Sequence, residues 1–293
     1  MTADEEAPAG NGTLRAGGVL AKLSWGLHSV PGDVRPHNED FAGAYAPTIP
    51  DDAWDRPPVF VVADGLGGHA AGEVASRLAT EAALQSWTDG QPGRPHQALR
   101  SAVRAANVAV YDAALEQGRR GMGTTLTALT LAGTEAVVAH VGDSRAYLVR
   151  GEECTQLTAD HSRAAEMVRM KLITPEQAAR HPARSMLTRS LGADPTVQVD
   201  LARSDLRRDD TFVLCSDGLW DVVARADLCA ICSALGSPGA STPVSTPADA
   251  AAALVDLAVK RGTADNVTAL VVRVKSDRPI PGAGARRSFF RRR

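Results

Sequence analysis

Residues 59–76 read VFVVADGLGGHAAGEVAS and combine a strand end, a carboxylate and a glycine-rich turn. The apolar, partly β-branched run at 59–62 is typical of a short buried strand. Asp64 follows, and four glycines among the next eight residues predict a tight turn into a helix that starts near Glu73. A carboxylate at a strand end, beside backbone that other groups can approach closely, suits a cation or a phosphate. For one such stretch alone, an ordinary Asp-Gly turn is the favoured alternative.

The composition excludes several classes of protein. The chain has 293 residues, 44% of them hydrophobic, so a sizeable core can be buried. With 32 Lys and Arg against 34 Asp and Glu, it lacks the basic character typical of nucleic-acid binders. No apolar run approaches the roughly 18 residues of a membrane helix. The acidic start MTADEEAPAG also lacks the apolar segment of a signal peptide. We therefore expect a cytoplasmic protein.

The pattern along the chain predicts one domain between two tails. Residues 1–18 are rich in Gly, Ala and acidic side chains, which predicts a disordered lead. Residues 19–276 carry dense apolar patterning without an internal linker, as expected of a single folded domain. Residues 277–293 end in arginines around two phenylalanines, which predicts a basic disordered tail.

Strand-like segments outnumber helical ones and follow each other through short turns. The turns LAGTEA and HVGDSRAY indicate antiparallel meanders, because parallel crossovers need longer connections. Helical patterns occupy residues 72–87, 95–118 and 247–262, and the second has apolar residues at spacings of three and four. Layers of strands with helices outside fit this order best.

Acidic residues recur at strand ends or turns elsewhere in the chain. They are Glu39, Asp40, Asp143, Asp217 and Asp265. Each alone is an ordinary turn residue or helix cap. Together, carboxylates at strand ends can converge at one edge of a sheet structure, where they would raise each other's pKa. Divalent cations such as Mg²⁺ and Mn²⁺ prefer oxygen ligands and remove that cost.

Eight motifs occur in an order that identifies a family resemblance. They are VRPHNED, VVADGLGGHAAGE, GMGTTLTAL, HVGDSRAYLVR, LTADHS, RSMLTRSLG, CSDGLWDVV and ADNVTALVV. In this order they resemble the metal-dependent protein phosphatases of type 2C, in their compact bacterial branch, over residues 22–275. The resemblance implies an α+β fold of four αββα layers, with a central antiparallel β-sandwich flanked by pairs of helices.

The resemblance also implies a binuclear metal site. Asp64 matches the carboxylate that bridges two Mn²⁺ or Mg²⁺ ions, and the carbonyl of Gly65 matches a ligand of the second ion. Asp217 and Asp265 match ligands of the first ion. Glu39 matches an acidic residue that holds metal-bound water, next to Asp40 at the same site.

Two further side chains take roles in catalysis by the same resemblance. Arg35 matches the arginine that binds the phosphate, which suits the two donors of a guanidinium group. His69 aligns more loosely with a general acid. A third, weaker ion is implied beside the pair, with Asp143, Asp217 and the backbone carbonyl of Ser185 as its ligands.

The implied reaction is hydrolysis of phosphoserine and phosphothreonine in proteins by water that two metal ions activate, without a covalent phosphoenzyme. The expected partners are phosphorylated proteins, a serine/threonine kinase and the substrates of that kinase, and we expect a monomer. Two alternatives stay open. One is a phosphatase dedicated to a single regulator in a partner-switching pathway, and the other is an inactive relative that binds phosphoproteins.

Overall fold

The computed structural model describes residues 12–47, 56–66, 70–90, 94–116, 119–236 and 244–280. Within these ranges the strands are β1 Leu14–Val19, β2 Leu23–Val30, β3 Asp40–Tyr45, β4 Val59–Leu66, β5 Gly123–Thr124, β6 Leu126–Ala132, β7 Glu135–Val141, β8 Arg145–Arg150, β9 Glu153–Gln156, β10 Asp200–Asp205, β11 Thr211–Cys215 and β12 Val267–Val274. The helices are α1 Ala70–Asp89, α2 Pro95–Ala114, α3 Arg163–Arg169, α4 Pro175–Ala178, α5 Asp217–Trp220, α6 Arg225–Ser233 and α7 Pro247–Lys260.

The strands form two antiparallel sheets. One sheet has the order β1-β2-β12-β11-β8-β9, and the other has the order β10-β7-β6-β4-β3, with β5 paired to β4. Neighbouring strands in both sheets run antiparallel. The predicted α+β class is therefore confirmed, and the turn LAGTEA joins the antiparallel pair β6 and β7 as predicted. The turn HVGDSRAY instead joins β7 in one sheet to β8 in the other, so the antiparallel pairing predicted across it is wrong, because the chain changes sheets there.

Three apolar clusters separate four layers. Strand β4 shows how, because successive side chains on a strand point to opposite faces. Val59 and Val61 pack with helices α1 and α2, whereas Phe60 and Val62 pack in the cluster between the two sheets. The third cluster places α6 and α7 on the sheet that contains β12. A strand buried on both faces reads as a continuous apolar run, which explains the pattern at 59–62.

The predicted disordered lead, 1–18, is wrong over its last residues. Leu14–Val19 form β1, paired with β2 in a register that sets Gly17 opposite Gly26. A side chain at Gly18 would lie 2.7 Å from the Trp25 ring nitrogen. The glycines that suggested disorder therefore permit close packing on β2. Residues 1–11 lie outside the described ranges.

The other predicted boundaries also shift. The domain continues past residue 276, because Ile280 is buried and exchanges two backbone hydrogen bonds with Gly133, at 2.7 and 2.8 Å. The rest of the predicted basic tail, 281–293, lies outside the described ranges. Helix α1 begins at Ala70, three residues before Glu73. None of the helices in the described ranges combines the length and apolar character needed to cross a membrane.

Candidate active site

The predicted carboxylates converge at one end of the sandwich, with contributions from both sheets. Asp40 at the start of β3 lies directly opposite Asp64 on β4. From the other sheet, Asp217 begins α5 just after β11. The hydroxyl of Ser216 donates a 2.6 Å hydrogen bond to Asp40 Oδ2 and so joins the two sheets. Like charges directly opposite on paired strands destabilise a sheet unless a proton or a cation intervenes.

The backbone of Asp64 is held rigidly by its neighbours. Its N–H donates to Thr125 Oγ1 at 3.0 Å, and its carbonyl accepts hydrogen bonds from Thr124 Oγ1 at 2.7 Å and Thr125 N at 2.9 Å. The carboxyl of Asp64 lies within electrostatic reach of that of Asp217. A cation between the two carboxylates would offset their mutual repulsion.

Burial and mutual repulsion raise the pKa values of the carboxyl groups in this cluster. The pKa of Asp64 is raised well above its usual value, first by desolvation and then by the charges of Asp217 and Asp40. The pKa of Asp217 is raised by desolvation and by Asp265. Desolvation also raises the pKa of Asp40, although its hydrogen bonds from Ser216 and Thr268 oppose the shift. These carboxylate oxygens therefore suit hard divalent cations as ligands, because a bound cation offsets both the desolvation of the carboxylates and their mutual repulsion.

Gly65 lies where three elements meet. Its N–H donates to Glu39 O at 3.1 Å, and the same carbonyl accepts a 2.6 Å hydrogen bond from Ser76 Oγ of α1. A side chain at Gly65 would lie 2.1 Å from Gly72 O and 2.6 Å from Glu39 O. Close backbone packing thus requires glycine here, apart from the metal-ligand role predicted for its carbonyl.

Arg35 lies at the solvent-facing rim of the cluster. Its Nη2 donates to Asp265 Oδ2 at 2.8 Å, and the other Asp265 oxygen accepts a 2.9 Å hydrogen bond from Asn266 N. Within the described ranges, no three His, Cys, Asp or Glu side chains already surround one point as a ligand set. The structure therefore brings Asp265 to the site but pairs it with Arg35, and its role as a metal ligand remains a prediction.

Asp143 lies in the turn between β7 and β8 and is buried. Its pKa is raised to about 8, by desolvation first and then by the charges of Asp217 and Asp160. Its carbonyl accepts a 3.0 Å hydrogen bond from Trp220 Nε1 at the end of α5. The predicted third site thus has two of its carboxylates within electrostatic reach of each other.

The segment 163–186, which contains α3 and α4 and is called the flap below, reaches back to this region. Arg184 Nη1 lies 2.5 Å from Asp221 Oδ1, directly after α5. Ser185, the predicted backbone ligand, is the next residue and is exposed. The structure brings the flap to the C-terminal end of α5, about one helical turn after Asp217. His69 lies outside the described ranges, so its predicted role remains a prediction.

We expect Asp143→Ala to leave the fold intact and to slow turnover about tenfold, the size typical of residues that tune a metal site. The Trp220 hydrogen bond goes to the backbone carbonyl of Asp143 and survives the substitution. The variant should also need more Mn²⁺ for half-maximal activity. Mn²⁺ titrations of activity, run beside thermal melts, test this. A large fall in melting temperature at saturating Mn²⁺ would show that Asp143 is only a structural turn residue.

Sequence reasoning missed the polar residues that hold these carboxylates. Thr268 Oγ1 donates to Asp40 Oδ2 at 2.7 Å, alongside Ser216. Asn266 bonds three backbone groups of the segment that carries Arg35. The only signal for them was their position inside the motifs CSDGLWDVV and ADNVTALVV.

Known proteins share the sequence pattern and the fold of this chain. The sequence model described as Protein phosphatase 2C matches residues 49–255. The chain is 40% identical over 260 residues to the serine/threonine protein phosphatase PstP of Mycobacterium tuberculosis strain H37Rv, covering 87% of this chain and 46% of that protein. It therefore spans about half the length of this relative.

A second relative and a solved structure extend the comparison. The serine/threonine phosphatase stp of Listeria innocua is 37% identical over 203 residues, covering 67% of this chain and 78% of that protein. The catalytic domain of the serine/threonine protein phosphatase PstP, solved in complex with two manganese ions, superposes with a TM-score of 0.70 at 36% identity, covering 87% of this chain and 99% of that domain.

Proposed function

The chain belongs to the protein phosphatase 2C family, and we propose that it is a metal-dependent protein serine/threonine phosphatase. The observation that carries this proposal is the carboxyl cluster between the two sheets, with Arg35 at its open rim. Desolvation and the neighbouring carboxylates raise the pKa values of Asp64 and Asp217 there, which supports a site for cations. Relatives that match most of the chain are named as serine/threonine phosphatases.

The residues that would hold two Mn²⁺ or Mg²⁺ ions are those that converge at the sandwich edge. They are Asp64, the Gly65 carbonyl, Asp217 and Asp265, with Glu39 and Asp40 beside them. Two bound divalent cations supply a water of lowered pKa, so that hydroxide is available near neutral pH. Support for manganese comes from the related domain solved with two manganese ions.

The protein's own side chains would bind and orient the phosphorylated substrate. Arg35 has a half-exposed guanidinium next to Asp265 and would bind two phosphate oxygens from the solvent side. Its positive charge offsets negative charge that develops on those oxygens. Ser216 and Thr268 hold Asp40. Thr124 of β5 and the adjacent Thr125 fix the backbone of Asp64.

Protonation of the leaving seryl or threonyl oxygen is assigned to His69 as part of the proposal. A seryl alkoxide is a poor leaving group and gains from a general acid. The proposed substrates are phosphorylated proteins of a serine/threonine kinase pathway, acted on by a cytoplasmic monomer. A phosphatase dedicated to one regulator is the alternative. An inactive phosphoprotein binder is disfavoured, because Asp64, Asp217 and Asp265 are all present.

A panel of phosphoserine, phosphothreonine and phosphotyrosine peptides, assayed with Mn²⁺, with Mg²⁺ and with excess EDTA, tests the proposed activity. We expect release of phosphate from the first two peptide classes with either metal, because the ligand set is oxygen only. Activity should vanish with EDTA and return when Mn²⁺ is restored. Full activity in excess EDTA would falsify the metal mechanism, and tight binding of the peptides without turnover would favour the inactive binder.

A further inference from the structure

Asn266, the first residue after Asp265, is a buried amide whose bonds all go to one loop. Its side chain is among the buried polar groups, with the residue 4% exposed. Nδ2 donates to Pro31 O at 2.9 Å and to His37 O at 2.8 Å. Oδ1 accepts from Glu39 N at 2.8 Å. The two carbonyls can only accept and the N–H can only donate, so these partners fix the orientation of the amide.

The loop that Asn266 holds, residues 31–39 between β2 and β3, carries two of the proposed site residues. Residues 33–37 of this loop are exposed, and Val34 is 66% exposed, so little apolar packing holds its outer part. Arg35 projects from this exposed part, and Glu39 lies at its end. Asn266 contacts the loop at both ends, on either side of Arg35.

The loop also rests directly on the backbone before Asn266. A side chain at Gly32, whose φ is +75°, would lie 2.7 Å from Asp265 O. Arg35 Nε contacts Ala264 O at 3.4 Å, and its Nη2 bonds Asp265. The loop therefore packs against segment 264–266, and the side-chain amide of Asn266 fixes the loop's position there.

We propose that Asn266 is a positioning residue: it fixes the loop backbone and so positions Arg35 and Glu39 relative to the phosphate of the substrate. This inference rests on the proposed function, and in particular on the phosphate-binding role of Arg35. Arg35 must leave its pair with Asp265 or share it when a phosphate binds, so its reach depends on where the loop backbone is held. Asn266 directly precedes β12, and its hydrogen bonds fix the loop backbone without any contact to the substrate.

The test is a double-mutant cycle between Asn266 and Arg35. KM and kcat are measured on a phosphothreonine peptide at saturating Mn²⁺ for Asn266→Ala, Arg35→Ala and the double variant. We expect Asn266→Ala to raise KM about tenfold and to change kcat less, because a misplaced binding group loses its alignment with the substrate. In the Arg35→Ala background the same change should alter KM by less than about twofold, since residues acting through one another are not additive.

Two further variants keep the test decisive. Asn266→Asp retains an acceptor for Glu39 N but loses both donors, and it replaces the alanine variant if that protein does not fold. Asn107→Ala is the matched control, because Asn107 is also a buried amide, bonded to Asp194 O and Gly192 N, both at 3.0 Å. Hydrogen exchange by mass spectrometry should speed up at residues 31–39 in the Asn266 variants and stay unchanged there in the control.

Each outcome separates the inference from the proposed function. A full tenfold rise in KM that persists without Arg35, or a fall in kcat alone, overturns the positioning role of Asn266. Unchanged kinetics and unchanged exchange in the Asn266 variants, beside a damaged Arg35→Ala protein, overturn the inference and leave the proposed function standing. An unchanged KM in Arg35→Ala refutes the phosphate role of Arg35, and the inference falls with it.

Discussion

Asp64→Asn should remove nearly all phosphatase activity, by about a thousandfold or more, because it weakens both proposed metal positions at once. The asparagine keeps the size of the side chain, and the backbone bonds of Asp64 to Thr124 and Thr125 do not involve the carboxyl. The loss should therefore come from chemistry, with the fold retained. Turnover of a phosphothreonine peptide and calorimetric titration with Mn²⁺ are the measurements, and both should fall together.

The same substitution should make the metal-free protein more stable at pH 8. The folded-state pKa of Asp64 is raised, so the folded state holds a proton that the unfolded chain releases near pH 4. Stability of the metal-free parent is therefore lost as the pH rises from about 4 through the folded-state pKa. Asparagine has no such proton to lose. Melting temperatures in EDTA at pH 5 and pH 8 should show the parent falling more than the variant.

Asp227→Asn provides the matched control for Asp64. Asp227 lies on α6 and pairs with Arg261 at 2.8 Å, away from the carboxyl cluster. Its replacement should leave turnover and Mn²⁺ affinity unchanged, because a solvent-screened surface ion pair outside the cluster contributes little to the fold and nothing to the site. If Asp64→Asn bound Mn²⁺ like the parent and still hydrolysed the peptide, the bridging role of Asp64 would be wrong.

The architecture was predictable wherever burial imposed a simple pattern. Strands β4 and β12 are buried on both faces and read as apolar runs, and the antiparallel pairing of β6 with β7 follows from the short turn between them. Strands β9 and β10 were missed, because edge strands with half-exposed, polar residues carry a weak signal. Strand β1 was missed because its two glycines, selected for packing against Trp25, resemble the composition of a disordered segment.

The sequence predicted which acidic residues lie together at the candidate site, but not which side chains form hydrogen bonds or ion pairs with each other there. Asp64 and Asp217 stand at strand ends in the sequence, so their convergence followed from the fold. The pair between Arg35 and Asp265 spans 230 positions, and only the folded backbone shows it. The same holds for Asn266, whose partners lie 227 to 235 positions away. Side-chain hydrogen bonds over such separations leave no periodicity in the sequence.

Gly65→Ala should destabilise the protein by about 3 kcal/mol, the upper part of the range for overpacking a tight site. The added carbon would lie 2.1 Å from Gly72 O and 2.6 Å from Glu39 O, and both are backbone atoms that cannot rotate away. Either α1 or the end of loop 31–39 must move, so Glu39 and the Gly65 carbonyl should shift together. We therefore expect turnover to fall at least tenfold even at temperatures where the variant is folded.

Gly121→Ala is the control for Gly65→Ala, because it measures the backbone cost of replacing a glycine without creating a close contact. Gly121 has φ of +81°, and a side chain there would meet nothing within 4 Å. It should lose about 1 kcal/mol through backbone strain and keep its activity. Urea unfolding and peptide turnover of the two variants, measured at saturating Mn²⁺, make the comparison. Equal losses of stability would mean that the contact with Gly72 is relieved at little cost. A stable Gly65→Ala protein with full activity would show that the junction of β4, α1 and loop 31–39 is not what fixes the geometry of the site.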